Sequence, residues 1–193
     1  MRAVFLVSGS GSNLQAVIDA VSAGELPQLE IAAVGADKPG TGGVERSAAA
    51  GLETFEVNFK DFSDRGEWNH ALTQQCLSYQ PDYVVSSGFM RIVNEEFINA
   101  FEHRYINTHP ALLPAFPGAH GVRDALNYGV KVTGCTVHYA DTGVDTGPII
   151  AQQAVAVLDD DTEESLHERI KIEERKLLIA VLKELSEGRA ASS

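Results

Sequence analysis

The feature that most constrains this chain is an alternation along its first half. Short apolar runs bounded by turn residues occur at Ala3–Val7, Leu29–Val34, Thr54–Val57, Tyr83–Ser86 and Arg104–Asn107. Between them lie stretches with helical spacing of apolar residues, at Asn13–Ala23, Gly43–Ala50, Asp64–Tyr79 and Glu95–Phe101. The runs read as strands and the stretches between them as amphipathic helices. Such repetition predicts an α/β fold, a Rossmann-like, mostly parallel sheet with helices on both faces, whose ligands gather at the carboxyl ends of the strands. After residue 107 the pattern changes to a proline-rich loop, THPALLPAFPGAHG, and then to two β-rich runs, Lys131–Ala140 and Pro148–Val157, joined by DTGVDTG. These predict an antiparallel C-terminal strand addition at the sheet edge. A long C-terminal helix follows, opened by the acidic run Asp159–Glu164, which suits the positive end of a helix dipole. The closing GRAASS reads as a disordered tail.

With 193 residues, 44% of them hydrophobic, the chain has the size of one ordinary domain, taken as residues 1–193. A formal charge of -12 argues against nucleic acid or an anionic membrane as partner, because both are gathered by positive fields. Small molecules are the expected partners. Cys76 and Cys135 lack the paired spacing of a zinc or redox motif and read as small core residues. The N-terminal apolar run is too short for a signal-peptide core or a membrane span, so a cytoplasmic protein is expected.

Four segments carry possible chemistry. The turn Ser8-Gly9-Ser10-Gly11-Ser12-Asn13 follows a buried strand and opens a helix, where backbone N–H groups can bind an anion such as phosphate. A plain turn without ligand is the alternative. A dinucleotide fingerprint would need a third glycine where Leu14 stands, which argues against NAD. Next, Asn107 and His109 end the fifth strand, and its period of two sends both to one side, above the strand ends. Pro110, Pro114 and Pro117 stiffen the loop behind them. A structural histidine would look the same. The loop 141–147 is rich in carboxylate and glycine. Asx turns capping a hairpin explain it, and it lacks the later glutamate of an EF-hand calcium loop, so no metal is expected. Finally, Leu166, Ile170, Leu177, Val181 and Leu185 form a stripe on the last helix that includes Glu174, with His167 near its boundary. An inward carboxylate needs a ligand or a structural partner, and periodicity leaves both open.

Taken together, SGSGSNLQA (8 to 16), GFMRIV (88 to 93), INTHPALLPAFPG (106 to 118) and VDTGPII (144 to 150) closely resemble the phosphoribosylglycinamide formyltransferase family, in register over nearly the whole chain. The resemblance implies transfer of a formyl group from 10-formyltetrahydrofolate, a co-substrate, to the amine of glycinamide ribonucleotide, without a metal. It implies that Gly11, Ser12 and Asn13 hold the ribose phosphate and that Glu174 meets the nucleotide. It further implies that Met90, Arg91, Ile92 and Val93, with Asp141, Val144 and Asn107, surround the folate, and that Arg65 and Arg91 lie near its anionic tail. Asn107, His109 and Asp145 match the family's catalytic residues. The Asn107 amide and a protonated His109 would donate to the formyl oxygen as charge grows on it. Asp145 would favour the imidazolium and help move the amine proton to the leaving nitrogen. A monomer or homodimer is expected.

Departures from the pattern are Arg175 in place of histidine, Val93 in place of leucine and Gly66 in place of glutamate. They bear on details of folate and nucleotide contact. Methionyl-tRNA formyltransferase, which shares the Asn, His and Asp, would need a further C-terminal domain and a basic surface. Formyltetrahydrofolate deformylase usually carries an N-terminal regulatory domain, whereas here the first strand starts at residue 2. A non-catalytic nucleotide-binding module would leave the convergence of Asn107, His109 and Asp145 unexplained.

Overall fold

In the computed structural model, which describes residues 1–188, the first strand β1 (Arg2–Val7) is buried from its second residue to its last. A strand covered on both faces needs an unbroken apolar run, and AVFLV supplies it. β2 (Glu30–Ala36), β3 (Thr54–Glu56), β4 (Tyr83–Ser86) and the start of β5 (Tyr105–His109) join it in the order β3-β2-β1-β4-β5, each paired parallel. The connecting helices are α1 (Ser12–Ser22), α2 (Gly42–Ala49), α3 (Arg65–Ser78) and α4 (Glu95–Ala100). Their starts are written in the sequence: Asp64 caps α3 by accepting from Glu67 N–H at 2.9 Å, and Asn94 caps α4 by accepting from Phe97 N–H at 3.1 Å. Trp68 of α3 is fully buried, with its indole N–H donated to the Val57 carbonyl at 2.8 Å.

The chain divides into two compact units, Met1–Ile106 and the part from Asn107 onward, with β5 running through the boundary. The second unit contains the end of β5, then α5 (Gly121–Tyr128), β6 (Val132–Tyr139), β7 (Ile149–Ala156) and α6 (Glu163–Ser186). Its strands lie in the order β5-β6-β7, and β6 and β7 pair antiparallel from Val132↔Ala156 to His138↔Ile149. The expected α/β fold, with its parallel sheet, antiparallel addition and long last helix, is therefore present.

Several details differ from the sequence expectation. The helix α5 was not expected at all. It has only eight residues, and its inward apolar residues are Val122, Ala125 and the partly buried Leu126, too short a stripe to stand out after the proline-rich loop. The buried stripe of α6 keeps the expected Leu166, Ile170, Glu174 and Val181 and adds Leu178 and Leu182, while Leu177, also expected, packs against the core only partly buried. The acidic run does open α6, with Glu163 and Glu164 in its first turn, but the cap within it was not expected. Thr162 is the cap, in a reciprocal pair with Ser165, while Asp161 turns back to bind Leu158 N–H and the Arg169 guanidinium. Cys135 joins Val122, Val155, Leu166 and Ile170 in the core of the second unit, and Cys76 is buried in the first; both are free thiols. The expected disordered tail, GRAASS, lies beyond the described residues except for Gly188.

Candidate active site

β5 delivers the chemistry of the second unit. Its strand period turns Asn107 and His109 to one side and Thr108 to the other. Thr108 donates its hydroxyl to Glu174 Oε1 at 2.7 Å, so Glu174, buried on the inner face of α6, has a hydrogen-bond donor. His109 is buried, and both of its ring nitrogens face oxygen acceptors. Nε2 is 2.7 Å from the Phe116 carbonyl, and Nδ1 is 3.3 Å from Asp145 Oδ2. A carbonyl and a carboxylate can only accept, so this geometry suits the doubly protonated ring.

Asp145 lies in the loop between β6 and β7, with its backbone in the left-handed region at φ 54. That conformation is uncommon for a residue with a Cβ and is found where surrounding contacts hold it in place. Here Gly118 donates its N–H to Oδ2 at 2.8 Å, and Oδ1 lies 3.6 Å from His138 Nε2. The Asp145 carboxyl is pulled down to about 2, first by the His138 ring, against the opposite push of burial, and then by the Gly118 N–H and the charge of His109. The structure thus brings three histidine and carboxylate groups together where the sequence pointed to two. His138 was missed. It is buried to 1% exposure on β6, and its Nε2 is 3.4 Å from Asn107 Nδ2, so it links Asn107 to Asp145.

This arrangement carries a pH dependence of stability. Because the folded carboxyl of Asp145 titrates below its ordinary value of 3.8, its contribution is complete above about pH 4 and is lost as pH falls toward 2. A shift of that size corresponds to about 2 kcal/mol. Urea unfolding of the wild type and Asp145→Asn is expected to show a gap that narrows by more than about 1 kcal/mol between pH 6 and pH 2.5. A gap constant with pH would refute the depressed carboxyl.

Asp141 serves its own loop, accepting from Gly143 N–H at 3.0 Å and from the Thr146 hydroxyl at 2.8 Å, which is the Asx-turn reading. Val144 beside it is exposed. Among the described residues no group of three or more His, Cys, Asp or Glu side chains is placed to hold a metal ion.

In the first unit, Gly11 takes a left-handed φ of 70 and immediately precedes α1, whose first turn closes with Gln15 N–H donated to the Gly11 carbonyl at 2.8 Å. Ser12 and Asn13 thus stand at the positive end of that helix. Ser8 accepts from Met90 N–H at 2.9 Å and donates its own N–H to Gly88, so the turns after β1 and β4 are tied together. Met90 and Ile92 are exposed apolar side chains. Arg65 donates to the Ile92 carbonyl. Arg91 is held more firmly than its expected place near an anionic tail requires. Its Nε is 2.7 Å from the buried Asp37 carboxylate, and its guanidinium lies 4.3 Å from the Phe59 ring centre. Asp37 was another residue the sequence reading passed over.

A family model, that of the formyl transferases, matches residues 1–182, and the chain belongs to that family. Its relatives there are phosphoribosylglycinamide formyltransferases. The one from Mycobacterium tuberculosis (strain CDC 1551 / Oshkosh) is 52% identical over 96% of this chain and 85% of its own length. Among solved structures, glycinamide ribonucleotide transformylase 1 from Symbiobacterium toebii matches with a TM-score of 0.94 and 42% identity, over 98% of this chain and 89% of that one. Phosphoribosylglycinamide formyltransferase from Bacillus halodurans matches with a TM-score of 0.90 and 42% identity, over 96% and 95%.

Proposed function

We propose that this chain performs the reaction for which its relatives are named, in purine biosynthesis. It moves the formyl group of 10-formyltetrahydrofolate onto the amine of N1-(5-phosphoribosyl)glycinamide, giving formylglycinamide ribonucleotide and tetrahydrofolate. The observation that carries the reading to particular residues is the ion-pair geometry of Asp145 with His109, 3.3 Å apart, His109 lying on the strand that also presents Asn107. When the substrate amine attacks the formyl carbon, negative charge develops on the carbonyl oxygen. Asn107 supplies a neutral N–H to that oxygen and His109 a charged one. The His109 Nε2–H is engaged by the Phe116 carbonyl, so the formyl oxygen takes the place of that carbonyl as acceptor. Asp145 keeps the ring charged and assists passage of the amine proton to the leaving nitrogen as the carbon–nitrogen bond of the folate breaks.

Gly11, Ser12 and Asn13 hold the nucleotide phosphate in this reading, supported by their place at the start of α1. Glu174 meets the same substrate. The exposed Met90, Ile92 and Val144, with Arg65, Arg91, Val93, Asn107 and Asp141, form the folate contacts. No metal takes part, and the enzyme acts on small molecules in the cytoplasm as a monomer or homodimer.

The acceptor is the point at which a transferase and a folate hydrolase part. Mixed with 10-formyltetrahydrofolate alone, the protein is expected to release tetrahydrofolate at less than about a hundredth of the rate seen with glycinamide ribonucleotide, since without the oriented amine the advantage of proximity is lost. Mass spectrometry should find the formylated nucleotide only in the complete mixture. Release at an equal rate without the nucleotide, with formate as product, would establish the hydrolase instead.

A further inference from the structure

His138 has no role in the reaction as described, yet it is buried to 1% exposure with a polar group at each end of its ring. Nδ1 is 3.0 Å from the Tyr139 carbonyl. A carbonyl only accepts, so Nδ1 carries the proton, and a neutral ring then leaves a bare lone pair on Nε2. That lone pair faces the Asn107 amide, with Nδ2 3.4 Å away. An amide nitrogen can only donate, and the pair is complementary when Nε2 is unprotonated. If Nε2 carried a proton, two N–H groups would face each other, and the Asn107 amide would have to turn over.

Asp145 Oδ1 lies 3.6 Å from the same Nε2 and pulls in the other direction, toward a protonated ring, which is the form in which His138 lowers the Asp145 carboxyl at acid pH. The groups that face His138 decide the balance: Asn107 from β5, the Tyr139 carbonyl from β6 and Asp145 from the following loop, which also faces His109. With His109 charged and Asp145 ionised, their charges cancel while His138 is neutral. A second cation would leave a net charge among side chains exposed by only 1%, 5% and 13%. Burying an uncompensated charge costs more than one long ion pair shared with another cation returns.

We propose that His138 is a positioning residue, whose neutral ring accepts one N–H of the Asn107 amide at Nε2 and so fixes the amide with its other N–H free for the formyl oxygen. This rests on the reading of Asn107 as the donor to that oxygen. A buried, locked ring is suited to the task. Without it the amide is free to rotate by half a turn and present its own carbonyl, which would repel the developing charge.

The test combines turnover with a direct view of the ring. In wild-type protein labelled with 15N-histidine, His138 should show a protonated Nδ1 and a bare Nε2 at pH 7. His138→Leu, which removes the acceptor, is expected to lower kcat by about tenfold, the scale of one orienting hydrogen bond, with KM for either substrate changed by less than about threefold. His138→Gln, whose side-chain carbonyl can accept from Asn107, should recover most of that loss. In an Asn107→Ala background the Leu substitution should have little further effect, since residues acting through one group are non-additive. A proton on Nε2, equal losses for Leu and Gln, or full additivity with Asn107→Ala would overturn the proposal. Should the Leu variant fail to fold, the labelled wild type and the Gln variant decide. Wild-type turnover by Asn107→Ala alone would instead defeat the reading of Asn107, and the ring measurement would be untouched by that failure.

Discussion

Asn107→Ala is expected to lower formyl transfer by about a hundredfold or more, the scale for the loss of one donor to a developing oxyanion, and His109→Ala by a similar factor. The two losses have different physical origins and should be told apart. Asn107 is half-buried, and its replacement leaves one ring nitrogen of His138 without its donor. His109 is buried, and its removal leaves both the Phe116 carbonyl and the Asp145 carboxylate without the ring that faces them. An unsatisfied buried acceptor costs about 1–3 kcal/mol, so both variants should unfold at lower urea, and His109→Ala, which strands two acceptors, by more than Asn107→Ala, which strands one. The assays therefore belong at a temperature where both variants are fully folded. Wild-type-like turnover by either one, measured there with both substrates saturating, would remove that residue from the reaction.

The parts of the fold that were legible share one cause. β1, β2 and β4 are buried on both faces, so the sequence must keep them apolar without interruption, and the runs at Ala3–Val7, Leu29–Val34 and Tyr83–Ser86 stand out. The caps Asp64 and Asn94 are legible for a local reason too, because a cap and the N–H it accepts from are three residues apart. The shared orientation of Asn107 and His109 followed from strand period, while their proposed roles rest on the resemblance.

What could not be read depends on partners far apart in the chain. His138 meets Asn107 across 31 residues, and nothing in the spacing announces it. It also sits on a strand where Thr136, Val137 and His138 are all buried, so alternation, which would have picked out a residue on the inner face, is absent. Asp37 and Arg91 meet across 54 residues. From the sequence Arg91 is simply a cation free to meet an anion; in the structure its Nε–H is engaged by a buried carboxylate. The α6 stripe drifted for a different reason. Leucines occupy 177, 178, 182 and 185, so several nearly equivalent faces exist, and packing in the second unit selects Leu178 and Leu182.

Gly11 has a structural reason for being glycine that the sequence reading did not contain, and it carries the second large effect expected here. In the sequence the glycine looks like room for a phosphate to approach the backbone. In the structure a Cβ at Gly11 would lie 2.5 Å from the Cα of Gly43, whose own N–H is donated to the Gly9 carbonyl at 3.0 Å. The turn after β1 and the first turn of α2 are packed backbone against backbone, and the neighbour cannot yield as a flexible side chain would. Gly11 also has a φ of 70, which costs a residue with a Cβ about 1–2 kcal/mol. Adding about 1–3 kcal/mol for the overpacked contact, Gly11→Ala should destabilise the protein by about 2–5 kcal/mol. Its loss of ligand affinity should then extend to folate as well as to the nucleotide, because the turn itself has moved. Ser12→Ala is the variant that isolates phosphate binding. Ser12 is only partly buried, so stability should change by less than about 0.5 kcal/mol while nucleotide affinity falls and folate affinity holds. Urea unfolding and calorimetry with each ligand separate the two cases. A Gly11→Ala protein within about 0.5 kcal/mol of wild type would mean that the two turns do not need their close approach.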